Sequence, residues 1–384
     1  MTEDLKTFII SRILAEGPVT FARFMEWCLY HPVHGYYTSD AACIGKEGDY
    51  YTAPCVHPLF GGMVARQLGE MHRILGKATF TILEIGGGRG FLCEDILNWL
   101  KHHDPELYRC LDYAIMELSP SMRREQQDRL AEEAAKGKVR WVSTDLLRTG
   151  ELSLEGCILS NELVDAFPVH RVRCEGGELQ EIMVHEKEGR FIERLGGLSN
   201  PALSCYFAPL GVDIAEGQTV EINLLALNWL EDVASCLKRG FLLTMDYGCL
   251  ATELYAPWRR DGTLRCFFRH ELKDSPYENL GKQDITAHVN FTSLIRKGEE
   301  VGLHLTGLAP QYRFLLALGL LEATAAATKD LSAVAGLQFR LALKHLLDPE
   351  RGMGEIFKVL IQHKGMEKVE LRGLKGLNEI NCDL

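Results

Sequence analysis

Apolar positions recur at helical spacing near the amino terminus, where Leu5, Phe8, Ile9 and Ile13 share one face of residues 4–15. A second helix is predicted over 21–30, with Phe21, Phe24, Met25 and Cys28 on one face and Thr20 placed to cap it. Regularity then stops. His31 to Thr52 holds Pro32, Gly35, Gly45 and Gly48 with Tyr36, Tyr37, Tyr50 and Tyr51. Such a stretch is either a functional loop over a cleft or a well-packed surface loop. From Thr79 the rhythm becomes strand, turn, helix. FTILEI leads into GGGRG and a helix reaching about Leu100. LDYAIME leads into Ser119-Pro120, a cap followed by proline at the first helical position. KVRWVSTDL and EGCILSNEL supply two further strands. Strands separated by helices or short crossovers predict a parallel sheet with helices on both faces. Its ligand site belongs at the carboxyl ends of the strands.

Residues 168–215 break this alternation, because PVHRVRC, the turn EGGE, LQEIMVH and GRFIERL read as antiparallel ribbon. QTVEI, a helix over about 224–237 and GFLLTMDYG are expected to resume the α/β core. A second irregular stretch runs to Asn290, followed by a helix over 291–301, two apolar helices between about 313 and 347, and the strand EIFKVLIQHK. The expected division is therefore N-terminal helices and a cleft-covering loop over 1–75, and the first half of the core over 76–167. The antiparallel insertion takes 168–215, the second half of the core with a helical insertion takes 216–364, and a flexible tail takes 365–384.

Hydrophobic residues at 46% and charged residues at 25% are ordinary for a globular chain. The 42 Lys and Arg against 53 Asp and Glu leave −11. That field disfavours nucleic acid and anionic membrane surfaces and is compatible with a cationic substrate. Twelve cysteines are scattered without metal spacing, so no metal is expected and the thiols read as reduced. MTEDLKTFIISRILAEG lacks the continuous apolar region of a targeting segment, and the apolar run Phe314–Leu321 is too short to span a bilayer. A cytoplasmic protein without membrane insertion is the expectation.

The chemistry begins at Glu84-Ile-Gly86-Gly87-Gly88-Arg-Gly90, after a strand and opening a helix. A dinucleotide fingerprint fails on spacing, because Phe91 stands where its third glycine or alanine would be, and no Gly-Lys-Ser/Thr makes a phosphate loop. Acid-x-Gly-x-Gly-x-Gly fits without exception. It is the pattern of S-adenosylmethionine (SAM) methyltransferase sheets, where bare main chain passes beneath the amino-acid part of the cofactor. Glu117, ending the second strand, is placed to accept from both ribose hydroxyls. Asp145 ends the third strand and would accept from the adenine amino group, with Leu146 beside the ring. Taken singly, each acid also fits a strand-end cap. Asn161 closes the fourth strand, facing the methyl donor.

Glu162 and Asp165 follow, three residues apart and hence on one face if the segment becomes a helical turn. Paired carboxylates there could hold a guanidinium plane and concentrate its charge; the alternative is a solvated turn with Glu162 as a cap. His270 and His288 are candidates for a general base or for hydrogen-bonded structural residues. Asp284 could fix a tautomer or cap a turn, and Asp246 ends the fifth strand near the same cleft.

GPVTFARFMEWCLYHPVHGYY, LEIGGGRGFLCEDIL, SNELVDAFPVHRV, MDYG, GTLRCFFRHEL and QDITAHVNFTSL resemble the MidA-like methyltransferase family over roughly residues 17–362. That family includes the mitochondrial complex I assembly arginine methyltransferase. The resemblance implies a class I SAM-dependent fold, Rossmann-like with a mostly parallel seven-stranded sheet and a smaller inserted domain. It also implies a protein arginine acceptor in the respiratory NADH dehydrogenase. By position it carries the cofactor turn to Gly86, Gly88 and Gly90 and the acids to Glu162 and Asp165. Where the family usually reads Ser-Pro-Glu, this chain has Ala53-Pro54-Cys55, with His57 two residues on. A small-molecule methyltransferase and a SAM-binding assembly chaperone are the alternatives, and a homodimer is an open alternative to a monomer.

Overall fold

The computed structural model describes residues 4–39, 53–269, 271–348 and 353–376. Helix Leu5–Glu16 is capped by Asp4, whose carboxylate accepts the Thr7 N–H. Strand Val19–Thr20 (β1) leads into helix Phe21–Tyr30, capped by Thr20. Phe21, Phe24, Met25 and Cys28 are completely buried, as their shared face requires. After helix Leu59–Leu75 come Phe80–Ile85 (β2), Leu111–Met116 (β3), Val139–Val142 (β4) and Leu154–Asn161 (β5). His170–Glu175 (β6), Glu178–Lys187 (β7), Arg190–Gly196 (β8) and Thr219–Ile222 (β9) follow, then helix Leu224–Cys236 and the long Leu237–Cys249 (β10). Arg265–Phe268 (β11), Glu271–Lys273 (β12) and Asp284–Thr286 (β13) form a small sheet. Val289–Asn290 (β14), helix Phe291–Glu300, His304–Pro310 (β15) and Phe357–Lys364 (β16) complete the core.

The large sheet runs β15-β16-β10-β5-β2-β3-β4, with β14 beside β10. β10, β5, β2, β3 and β4 are mutually parallel, whereas β16 is antiparallel to both neighbours. This is the expected α/β class. The central strands read as unbroken apolar runs because both faces are covered. Cys157 and Leu159 of β5 face helices Leu59–Leu75 and Phe91–His103, and Ile158 between them faces helices Leu224–Cys236 and Phe291–Glu300. Strand order reverses between β2 and β5, and the crevice above their carboxyl ends is where such sheets bind ligands.

Two expectations need correction. Thr219–Ile222 does not resume the core: it pairs antiparallel with β6, in a five-stranded sheet that also takes in β1 against β7. A four-residue run buried at every position has no periodicity that tells one sheet from another. The described part of the expected tail is docked, not loose. Leu371 is buried in the main core, Arg372 N–H donates to Glu70 at 2.9 Å, and Gly373 N–H donates to Gln67 at 3.1 Å. Gly373 lies so close to the Phe314 ring that a Cβ would stand 2.5 Å from it. Residues 377–384 of the expected tail, residues 40–52 of the expected covering loop, and His270 lie outside the described residues. Among the described residues, no helix is long and apolar enough to cross a membrane.

Candidate active site

A cavity of about 980 Å³ opens over the carboxyl ends of β2, β3, β4 and β5. Its floor is the glycine turn. Gly86 and Gly88 have φ of +72° and +54°, backbone that side-chain-bearing residues rarely adopt. A Cβ on Gly88 would meet nothing within 4 Å, because it would project into the cavity. Gly88 N–H donates to Glu117 Oε2 at 3.0 Å, and Ser119 N–H donates to Oε1 at 2.8 Å. Gln126 ties the turn down from below, donating to Gly88 O at 2.6 Å and to Glu117 Oε2 at 3.2 Å. Glu84, buried beneath the turn, accepts from the Tyr113 hydroxyl at 2.9 Å, and burial pushes its carboxyl up to about 7.

Another part of the wall carries Glu162, with three buried carboxyls behind it. Asn161 ends β5 with its Oδ1 buried and unpartnered, while its Nδ2 donates to Glu162 Oε1 at 3.1 Å. Ala53 N–H donates to the same Oε1 at 3.0 Å. Glu162 is itself left-handed, with φ of +50°. The backbone is held there from a distance: Asp246 Oδ2 accepts the N–H groups of Leu163, Val164 and Asp165 at 3.2, 2.9 and 3.3 Å. Asp246 is completely buried, and burial raises its carboxyl to about 7. Glu162 rises to about 8, mainly through burial, with the Asp246 and Asp284 charges adding to it. Asp165 is driven well above the carboxylate range by burial, then by Asp246, Asp284 and Glu162. Four carboxyls thus share one poorly solvated region, where a bound cation would relieve their repulsion.

Residues 63–309 match a family described as S-adenosyl-L-methionine-dependent methyltransferase. The chain belongs to that family. It is 29% identical to the Drosophila melanogaster protein named "Protein arginine methyltransferase NDUFAF7 homolog, mitochondrial", over 79% of this chain and 72% of the relative. The Caenorhabditis elegans homologue is 28% identical over 83% and 77%. A COG1565 superfamily member from Burkholderia thailandensis, crystallised with S-adenosyl-homocysteine bound, superposes with a TM-score of 0.85. It is 30% identical, with 96% of this chain and 94% of that chain covered. The fold is therefore the class I methyltransferase fold, and the cofactor is SAM. The curated relatives are named as mitochondrial, which overturns the expectation of a cytoplasmic protein.

The methyltransferase's residues fit that cofactor: bare main chain at Gly88, a paired acid at Glu117, and an acceptor without a donor at Asn161 Oδ1. Glu84, Gly86, Gly87, Gly88, Glu117, Asn161 and Glu162 all line the cavity. Gly90 lies behind the turn as the N-cap of helix Phe91–His103. Asp145 and Leu146 are not among the lining residues; Thr144 and Leu147 take that place. β4 already ends at Val142, so Asp145 falls on the first turn of helix Asp145–Thr149, exposed and bonded to Ser143.

The expected helical turn at Glu162–Asp165 does not form, because a left-handed residue ends the strand. Glu162 lines the cavity, while Asp165 points into the protein, 5% exposed, with Oδ1 unpartnered. His288 does not line the cavity either. Its ring stands edge-on to Tyr247 at 5.0 Å, and burial lowers it to about 4. Asp284 accepts from the Tyr37 hydroxyl at 2.7 Å. The outer walls went unread in the sequence, although their signal was present. Leu225, Asn228, Trp229 and Asp232 share one face of their helix, as do Ala22, Glu26 and Tyr30 of theirs, and all line the cavity.

Proposed function

We propose that the protein is a protein arginine N-methyltransferase, with a respiratory NADH dehydrogenase subunit as the first acceptor to test. The observation that carries this reading is Glu162, a half-buried carboxyl at the cavity wall backed by the buried Asp165, Asp246 and Asp284. A guanidinium gives such a group the counter-charge and planar donors that water is excluded from supplying. The names of the curated relatives support the same acceptor.

In this reading the main chain at Gly86–Gly88 passes under the amino-acid part of SAM, Asn161 accepts from its ammonium, and Glu117 accepts from its ribose. Leu147 flanks the base in place of Leu146. SAM supplies an electrophilic methyl group when bound. Glu162 orients the acceptor nitrogen toward it, and Asp165 acts from behind by keeping the region anionic. Helix Phe21–Tyr30 walls the cavity and shields the pair from water, leaving positioning as the main source of rate. Cys55 lines the cavity beside Pro54, so one carboxylate fewer surrounds the acceptor than in the family pattern.

The test is to incubate the purified protein and labelled SAM with a lysate lacking the protein, then hydrolyse the labelled fraction. Label in methylarginine of a polypeptide is expected. Label confined to small molecules, or to other residues, would sink the arginine assignment.

A further inference from the structure

His170, at the start of β6, is built unlike the other groups along the cavity. Its Nδ1 lies 2.7 Å from Oε1 of Glu181 on β7. Glu181 is completely buried, and its other oxygen accepts the Ser199 N–H at 2.7 Å. Burial alone would push this carboxyl up, but the bonds from His170 and Ser199 outweigh it and leave it lowered. A buried carboxylate on Nδ1 fixes the tautomer: the proton sits on Nδ1 and the lone pair on Nε2. His170 lines the cavity, as do Asn200 and Ala22, Glu26 and Tyr30 of helix Phe21–Tyr30. Among the described residues no hydrogen bond engages Nε2. The imidazole is therefore an oriented base on the cavity wall.

We propose that His170 is the catalytic proton acceptor of the methyl transfer and that Glu181 is its positioning residue. This rests on the reading of the acceptor as an arginine, a nitrogen that must shed a proton. The nitrogen lone pair forms the new N–C bond. The methyl–sulfur bond breaks with its electron pair staying on sulfur, which becomes a neutral thioether. The N–H bond breaks, its electrons return to the guanidinium system, and the proton passes to Nε2, directly or through one water. The product guanidinium keeps its single positive charge. The imidazolium is held by Glu181 until the proton leaves to solvent. Glu162 is ill suited to this step, since its Oε1 already accepts two donors and its task is to hold the cation. His288 lies outside the cavity lining.

The test uses the full chain, labelled SAM and an arginine-bearing acceptor. In His170→Asn the amide can replace Nδ1–H as donor to Glu181, so the dyad's bond is kept while Nε2 is lost. The expected result is a fall in kcat of ~100-fold or more, with calorimetric SAM affinity unchanged. His170→Ala should recover rate on addition of free imidazole. Glu181→Gln should lower kcat by ~10-fold at unchanged KM, because the ring remains but its orientation and charge partner are lost. A His170→Asn enzyme within threefold of wild-type kcat overturns the proposal, as does loss of activity that tracks loss of SAM affinity. If that variant does not fold, the alanine variant decides, and absence of imidazole rescue overturns the proposal. A wild-type enzyme that labels lysine or a hydroxyl instead sinks the arginine reading alone. Those acceptors also shed a proton, so the His170 test stands on them unchanged.

Discussion

Glu162→Gln preserves the outline of the side chain and its bonds from Ala53 and Asn161 while removing its ability to ionise. Burial pushes the wild-type carboxyl from 4.5 to about 8. Because the folded value lies above the unfolded one, the stabilising contribution is complete below about pH 4.5 and is lost as pH rises through 8. Each unit corresponds to ~1.4 kcal/mol, so the wild type should lose roughly 4 kcal/mol between about pH 5 and pH 8 that the glutamine variant keeps. Coupling to Asp246 shares part of that loss between the two groups and brings the expected difference to ~2–4 kcal/mol. Urea unfolding of both proteins without SAM, at several pH values across this window, measures it. The curves should converge near pH 5 and separate near pH 8, with the variant the more stable protein and the inactive enzyme. Its SAM affinity should be unchanged. A difference that stays constant with pH would refute the burial argument, and transfer near the wild-type rate would refute the role of Glu162 in holding the acceptor.

Gly88→Val should eliminate calorimetric SAM binding, since its side chain would enter the cofactor's space from left-handed backbone; unchanged affinity would remove the turn from the site. Asp246→Ala strands the three N–H groups of the Glu162 turn and should cost ~3–5 kcal/mol in chemical denaturation. A loss below ~1 kcal/mol would mean that the turn holds itself. Leu371→Ala should cost ~2–4 kcal/mol, measured the same way, because the carboxyl-terminal segment is part of the core. A neutral result would restore the picture of a loose tail.

The glycine turn, Glu117 at the end of β3 and the α/β alternation were legible because each is local. A strand's apolar run, a cap and a backbone that must tolerate positive φ leave their marks within a few residues. The fate of the acids was not local. Asp246 lies some eighty residues from the turn it grips, and that grip, by forcing Glu162 left-handed, sends Glu162 to the cavity and Asp165 inward. The short run Thr219–Ile222 joined the insertion because an open edge at β6 accepted it. Asp145 missed the cavity because its strand stopped three residues early. His170 gained its buried carboxylate only when β6 paired with β7. Sequence alone determined that bare main chain would stand at the end of β2, since steric freedom of the backbone is written residue by residue. Which side chains meet around it was decided by strand register and long-range hydrogen bonds, which exist only once the sheet has closed.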